Sequence, residues 1–207
     1  LERIIARAAA GKIVPREVMQ LRRGLSQTRP IMDLCKGRGV EALESMMNSI
    51  SDCGELVDYL THTMHPETAA AIGKGDVIAS GVSAELDELR NIARNGKDYL
   101  LQIQERETER TGIPSLKIGY NSVFGYYLEV RNAHKDKVPQ EWIRKQTLVN
   151  AERYITEELK EYEQKILGAE ERIYLLETQI YAELVSKIQA NISAIQKNCR
   201  ILARLDG

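Results

Sequence analysis

Apolar residues along most of the chain recur every three or four positions, which is the period of an amphipathic α-helix. A first helix is predicted to bury Leu1, Ile4, Ile5 and Ala8 and to end near Gly11, and Pro15 suits the first turn of a helix that runs to about Gln27. Short helices are predicted over 30–35, 39–48 and 52–63. The stretch 64–82 is rich in Gly, His and Pro and predicts a loop that includes a short extended piece.

Two longer helical patterns follow this loop. The second begins after Thr156, whose hydroxyl suits an N-cap, and uninterrupted to Ala203 it would be about 70 Å long. Its apolar positions between 159 and 180 alternate in steps of three and four, as in a coiled-coil seam. We expect it to run antiparallel to the first pattern, which spans 83–110 with an apolar stripe of Leu86, Leu89, Ile92, Gly96, Tyr99 and Ile103.

Between these helices the period changes to two, in KIGYNSVFGYYLEV at 117–130. Four strands are predicted, at 115–120, 126–131, 143–149 and 152–156. On the second strand, alternation predicts one face of Tyr126, Leu128 and Val130 and another of Tyr127, Glu129 and Arg131.

The predicted hairpin turns lie at 121–125 and 150–151. If direction alternates from strand to strand, both turns lie at the end of the sheet away from the helices, and the connection 132–141 lies near the helices. Backbone N–H groups and small polar side chains at such a tip could approach a phosphate, and the residues concerned are Asn121, Ser122, Gly125 and Asn150.

Composition and charge limit the functions that the chain can have. The chain has 207 residues, of which 43% are apolar, 29% charged and 5% aromatic, and its net charge of −1 means that nucleic-acid binding would depend on a local patch. Segment 113–156 has seven basic and four acidic residues, a net +3, so the remainder carries −4. These residues alone leave three interpretations: a solvated face over a small aromatic core that includes Tyr126, Trp142 and Tyr154, a nucleic-acid contact, or a protein contact.

Patterns for catalysis and metal binding are weak. No phosphate-binding G-x-x-x-x-G-K-[ST] loop occurs, and the H-x-x-H of His62 and His65, with only Glu67 nearby, is interpreted as loop histidines. No apolar run reaches the roughly 18 residues of a membrane span. We expect no catalytic residue, no metal site and reduced thiols at Cys35, Cys53 and Cys199. Because the sequence begins with Leu1 rather than Met, we expect an excised piece of a longer protein.

Four stretches resemble the bacterial MutS family of DNA mismatch-repair proteins. They are LERIIARAAAGKIVPREVMQLRRGL at 1–25, DVIASGVSAELDELR at 76–90, ERTGIPSLKIGYNSVFGYYLEV at 109–130 and RKQTLVNAERYITEELKEYEQKIL at 144–167. The resemblance covers essentially the whole chain. It implies a mainly α fold: a helical core and outgoing lever helix at 1–112, a β clamp at 113–156 that contacts the DNA backbone without reading sequence, and a return lever helix and core at 157–207.

The resemblance also implies a parent protein. The parent would be a cytoplasmic, DNA-dependent ATPase that uses ATP and Mg and forms a homodimer through its ATPase domain. That domain and the mismatch-reading domain would lie outside these residues, which would need no cofactor and would have double-stranded DNA, mismatched DNA included, as partner. The alternative is a coiled-coil module whose β tip binds a partner protein. Two positions depart from the family pattern: Val149, where many relatives would have lysine, and Glu157, where proline is expected.

The motif QTLVNAERY at 146–154 carries the expected backbone contacts. The resemblance points to Asn150 and Arg153 within it and to Arg144 and Lys145 just before it. Charge and placement alone add Lys117, Ser122, Arg131, Lys135 and Lys137.

Overall fold

A computed structural model describes residues 2–204, so Leu1, predicted on the first helix, lies outside the described residues. The predicted fold class is confirmed: the chain is mainly helical, and two long helices carry a four-stranded antiparallel sheet between them. The helices are α1 Glu2–Ala9, α2 Pro15–Ser26, α3 Thr28–Cys35, α4 Glu41–Asn48, α5 Gly54–Thr63, α6 Ala84–Thr111, α7 Glu157–Ala190 and α8 Ile192–Ala203. The strands are β1 Lys117–Asn121, β2 Gly125–Arg131, β3 Ile143–Thr147 and β4 Ala151–Ile155, with a 3₁₀ helix at Asn132–Lys137.

The chain divides into two compact units. One consists of Glu85–Ile173, and the other combines the residues up to Ala84 with those from Tyr174 onward. Helix α7 contributes residues to both units.

Helix α7 is shorter than predicted because the chain leaves the helix at Asn191, with φ −100° and ψ 4°. The Asn191 amide N–H donates to the carbonyl of Ile188 (3.0 Å), and its side-chain Nδ2 donates to that of Lys187 (2.9 Å). An asparagine side chain that bonds the preceding turn competes with continued helix. The 34 residues of α7 therefore span about 50 Å instead of 70 Å.

The unit that contains both chain ends is held by buried polar contacts as well as by apolar packing. In the predicted loop after α5, Met64 and Ile78 form an antiparallel bridge. The buried carboxylate of Glu177 on α7 accepts hydrogen bonds from the backbone N–H groups of Val77 (3.0 Å) and Ile78 (3.1 Å). The loop thus has a fixed extended piece, as predicted.

Helix α8 is joined to the segment before α5 through Asn198, which is 1% exposed. Its Oδ1 accepts from the Ser51 N–H, and its Nδ2 donates to the Ser51 carbonyl, both at 2.8 Å. The side chain therefore satisfies both polar groups of one peptide residue in a buried place.

In the other unit, α6 and α7 pack antiparallel. Successive ion pairs join residues with rising numbers on α6 to residues with falling numbers on α7: Glu85–Arg172 (3.0 Å), Lys97–Glu170 (2.6 Å) and Arg106–Glu158 (2.5 Å). The helices approach closely at Gly96, where an added Cβ would lie 2.5 Å from Cγ1 of Ile166. At the start of α7, the Thr156 hydroxyl accepts from the Leu159 N–H (3.1 Å), as the N-cap prediction requires.

The buried face of α6 differs in part from the predicted stripe. Ile92 is 42% exposed, whereas Arg90, Ala93 and Leu100 are buried. Leu86, Gly96 and Ile103 are buried as predicted.

The strand order is β1-β2-β4-β3, and neighbouring strands are antiparallel. Because β4 lies between β2 and β3, those two strands run in the same direction, and the connection 132–142 spans the length of the sheet. The prediction that both hairpin turns lie at one end is therefore wrong. The β1–β2 turn lies at the end where β4 leads into α7, and the β3–β4 turn lies at the opposite end.

The sheet and the two long helices share one apolar core. Leu128 and Val130 of β2 are completely buried, and Trp142 packs beside Tyr154 with ring centroids 6.0 Å apart. The same cluster includes residues of α6 and α7, namely Leu100, Ile103, Leu159 and Ile166. The predicted aromatic core is confirmed, with Tyr126 packed at its edge.

Candidate nucleic-acid interface

The β3–β4 turn and the chain beside it form an exposed end of the sheet. Asn132, directly after β2, ties the two together: its N–H donates to the Asn150 carbonyl and its Nδ2 to the Val149 carbonyl, both at 3.0 Å. The turn is closed by a hydrogen bond from the Leu148 N–H to the Ala151 carbonyl (2.8 Å). We call this region the turn end and define it as Arg131, Asn132, Lys135, Val149 and Asn150, together with Arg144, whose guanidinium reaches back along β3 to Glu152, and its neighbour Lys145. All seven residues are exposed.

Several donors at the turn end have no partner in the described part of the chain. The side chains of Arg131 and Lys145 face no acidic group there, and the side-chain amide of Asn150 makes no hydrogen bond. Val149 is 91% exposed, so the turn projects well clear of the sheet. Free cations and amide donors on a projecting turn are suited to an anion.

The remaining cations of the turn end surround Glu152, which is buried on β4. The hydroxyl of Tyr154 donates to this carboxylate, and Arg144 Nη1 lies 3.3 Å from it. The hydrogen bond from Tyr154, followed by the charges of Arg144 and Lys135, holds the pKa of Glu152 below its ordinary value, and burial raises the pKa of Tyr154 to about 12. Glu152 therefore stays ionised and offsets part of the positive charge around it.

Arg153 belongs to the other face of the sheet and is only 21% exposed. Its Nε donates to Glu129 on β2 (3.0 Å), its Nη1 donates to Gln146 on β3 (3.0 Å), and its guanidinium lies 4.3 Å from the ring centroid of Tyr127. These contacts join three strands. The structure thus gives Arg153 a role in holding the sheet.

The turn end as defined includes five of the nine expected contact residues: Arg131 and Asn150 lie at the turn, Lys135 and Arg144 approach Glu152 beside it, and Lys145 lies farther from the turn along β3. The other four lie elsewhere. Ser122 is exposed at the opposite turn, Lys117 lies beside Glu129 on the face of Arg153, and Lys137 donates to the Gly112 carbonyl after α6 (3.2 Å). For Ser122 the separation follows from the strand order, which sends the two turns in opposite directions.

The β1–β2 turn is bound to α7, which the sequence patterns did not predict. Glu163 accepts a hydrogen bond from the Tyr126 N–H (2.6 Å), and Lys160 donates to the Phe124 carbonyl and pairs with Glu163 (3.1 Å). Gly125 has φ 84°, and a Cβ there would collide with Glu163. In the sequence these charges are typical of a solvated helix face, so only the glycine pointed to a constrained turn.

The prediction that both histidines lie in the loop is wrong for His62, which lies in the last turn of α5, and only His65 lies in the loop. His62 Nδ1 donates to the Asp58 carbonyl (2.7 Å), and His65 Nδ1 accepts from the Glu67 N–H (3.2 Å). Among residues 2–204 no group of three or more His, Cys, Asp or Glu side chains is placed to hold a metal ion. No helix in that range is both long and apolar enough to cross a membrane.

Comparison with known proteins places this sheet in a family. Residues 81–172 match the model of MutS family domain IV. The chain aligns over 206 residues with the DNA mismatch repair protein MutS of Porphyromonas gingivalis at 55% identity, of Bacteroides fragilis at 57% and of Flavobacterium psychrophilum at 54%. The chain belongs to the MutS family. Each alignment covers the whole chain, which spans about a quarter of the length of these relatives, 23% to 24%.

The domain IV match of this MutS-family chain includes α6, the sheet and the first half of α7. It nearly coincides with the compact unit Glu85–Ile173. The turn end therefore lies within the part that matches domain IV, and the resemblance seen in the sequence is confirmed.

Proposed function

We propose that the turn end of this MutS domain IV contacts the phosphate backbone of double-stranded DNA during mismatch repair. The observation that carries the proposal is the set of exposed cations and amide donors on the projecting turn and on the strands that lead to it, above all Lys145, Arg131 and Asn150. A phosphate oxygen accepts hydrogen bonds from all three kinds of side chain. Arg144 and Lys135 add charge that Glu152 only partly offsets.

Such contacts define how the DNA is bound. Backbone contacts carry little direct sequence information, so paired and mismatched duplexes should bind about equally well. Affinity should be in the range of non-specific binding, about 10⁻⁴ to 10⁻⁶ M at physiological salt. Arg153 supports this site by holding β2, β3 and β4 in register rather than by reaching a phosphate.

We propose further that residues 113–156 act as a clamp and that α6 and α7 are its levers, with the rest of 1–112 and 157–207 as helical core. The core that the sheet shares with the helices supports these roles of clamp and lever, because a displacement of Leu159 or Ile166 must move the sheet that packs on them. ATP, Mg and dimer formation would belong to the full-length protein, and these residues themselves would be non-catalytic.

A salt titration tests the proposal. A fluorescently labelled duplex is titrated with the chain at several salt concentrations, and binding is followed by anisotropy. Lys145→Ala should weaken binding to paired and mismatched duplexes alike and reduce the log–log salt slope by about 1. Asn150→Ala should weaken binding without changing the slope, because an amide displaces no counterion.

Lys165→Ala is the matched control, since Lys165 is an exposed lysine on α7 that already pairs with Glu161 (3.3 Å). It should leave the slope unchanged. If Lys145→Ala and Lys165→Ala behaved alike, the turn end would not bind phosphate. The alternative, a module that binds a partner protein, would then be favoured.

A further inference from the structure

Positive charge in this chain is not confined to the sheet. Between Arg3 and Met32 there are seven basic residues and a single acidic one, Glu17, in a chain whose net charge is −1. The seven basic residues are Arg3, Arg7, Lys12, Arg16, Arg22, Arg23 and Arg29. Six of them belong to α1, α2 and the first turn of α3, and Lys12 lies in the connection between α1 and α2, all within the unit that contains both chain ends. The same helices also contain Glu2 at the start of α1 and Asp33 on α3, which pairs with Lys36 (2.8 Å).

Helix α2 places two of these arginines on its solvent side. Its buried side is formed by Val18, Leu21 and Leu25. Arg16 and Arg23 are seven residues apart, so they share the opposite side at a separation of about 10 Å along the axis. Exposed Gln20 and Gln27 lie on the same side. We call this stripe of Arg16, Gln20, Arg23 and Gln27 the α2 face.

The charge of the α2 face is not cancelled by Glu17, the one acidic residue of α2. Glu17 is buried and already accepts hydrogen bonds from Arg7 Nε (2.8 Å) and the Val14 N–H (3.1 Å). In the described part of the chain Arg16 and Arg23 have no acidic partner. Both guanidinium groups therefore face solvent with their donors unused.

The helices around α2 do not reverse this balance. Helix α8 packs against α1, carries exposed Lys197 and Arg200 and contains no acidic residue. Helix α5 does carry acidic side chains, but it packs on the side of α2 that bears Arg22, whose Nη1 donates to Thr61 Oγ1 (3.3 Å). The region thus keeps its excess positive charge.

The chemistry of the α2 face selects its partner. The centre of a protein interface is rich in aromatic and apolar anchors, and the α2 face has none. A surface that binds a phosphate backbone needs only cations and amide donors that can reach the phosphate oxygens. The two arginines and two glutamines that alternate along the α2 face supply both. We propose that the α2 face is a second contact for the DNA phosphate backbone, separate from the turn end.

The test uses the whole chain and a labelled duplex, with anisotropy read at about 50 and 200 mM salt. Arg16→Gln combined with Arg23→Gln removes two cations and should reduce the log–log salt slope by about 1.8, so that the loss of affinity between the two salt concentrations shrinks about 12-fold. Arg16→Lys combined with Arg23→Lys keeps the charge and should keep the slope. Urea unfolding of each variant checks that the fold is retained.

The control pair, Lys165→Gln with Arg172→Gln, changes net charge by the same amount at paired positions on α7. The proposal is overturned if the α2-face pair behaves like this control, in which case an acidic protein surface becomes the better partner. A loss of slope in the α2-face pair but not in Lys145→Ala would support this inference while refuting the turn-end proposal, so the two can fail separately.

Discussion

Replacing Gly96 by alanine should destabilise the unit that carries the sheet. An ideal Cβ at Gly96 would lie 2.5 Å from Cγ1 and 3.1 Å from Cδ1 of Ile166, whose side chain is completely buried. The extra methyl group must push α6 from α7 or force Ile166 from its rotamer, and such overpacking costs about 1–3 kcal/mol. Alanine recovers about 0.8–1.0 kcal/mol through its higher helix propensity. We expect a net loss of about 1 kcal/mol.

The chain provides a matched control in Gly168, which lies within α7 and would have no atom within 4 Å of an added Cβ. Gly168→Ala should gain the helix propensity alone and stabilise the same unit by about 1 kcal/mol. The same substitution at two glycines should therefore have opposite signs, with a difference of about 2 kcal/mol.

Urea unfolding followed by tryptophan fluorescence measures this difference, because Trp142 is the single tryptophan of the chain and lies in the core of this unit. A double-mutant cycle adds a direct check: in an Ile166→Ala background, Gly96→Ala should become stabilising. If Gly96→Ala stabilised the parent chain as much as Gly168→Ala does, the close approach of the two helices would be refuted.

Three further predictions concern other contacts. Asn198→Ala leaves the two partly buried backbone groups of Ser51 without this partner and should destabilise its unit by about 1–3 kcal/mol in urea unfolding followed by circular dichroism; no change would show that water replaces the amide. Folding lowers the pKa of the Glu152 carboxyl below 4.5, its ordinary value. The stability that its ionised form contributes is therefore fully present above pH 4.5 and is lost as the pH falls through the lowered pKa. Tyr154→Phe removes the hydrogen bond that lowers the pKa of Glu152 most, so the variant should lose less stability on acidification, as measured by unfolding followed with tryptophan fluorescence. An unchanged loss would contradict the assignment. Gly125→Ala meets both a φ of 84° and the Glu163 side chain, and should cost about 1–3 kcal/mol in urea unfolding, whereas a neutral result would mean that the turn is not held by α7.

Long periodic segments could be read from the sequence. The apolar stripes predicted both long helices and their antiparallel packing, and the alternation after Lys117 predicted the strands to within about two residues. Helix α7 ended early because Asn191 bonds its own preceding turn, a local competition that apolar periodicity does not reveal. On α6, packing placed Arg90 and Ala93 inward in preference to Ile92.

The direction of the third strand could not be predicted from the sequence. A connection of about ten residues is long enough for β3 to run antiparallel beside β2, and also long enough to span the sheet so that β3 runs in the same direction as β2. That single choice decides whether Ser122 and Asn150 lie together or at opposite ends. Averaging charge over all helical residues also concealed the α2 face, because the −4 outside the sheet combines a basic region before Met32 with acidic helices after it.

The most direct test of the central claim is an amide chemical-shift titration of the ¹⁵N-labelled chain with a short DNA duplex, which tolerates weak binding. The claim predicts the largest shifts within the sheet at the amides of Val149, Asn150 and Lys145, and no comparable shift at Ser122 and Val123. Shifts concentrated at Ser122 and Val123, or absent from the sheet altogether, would contradict it.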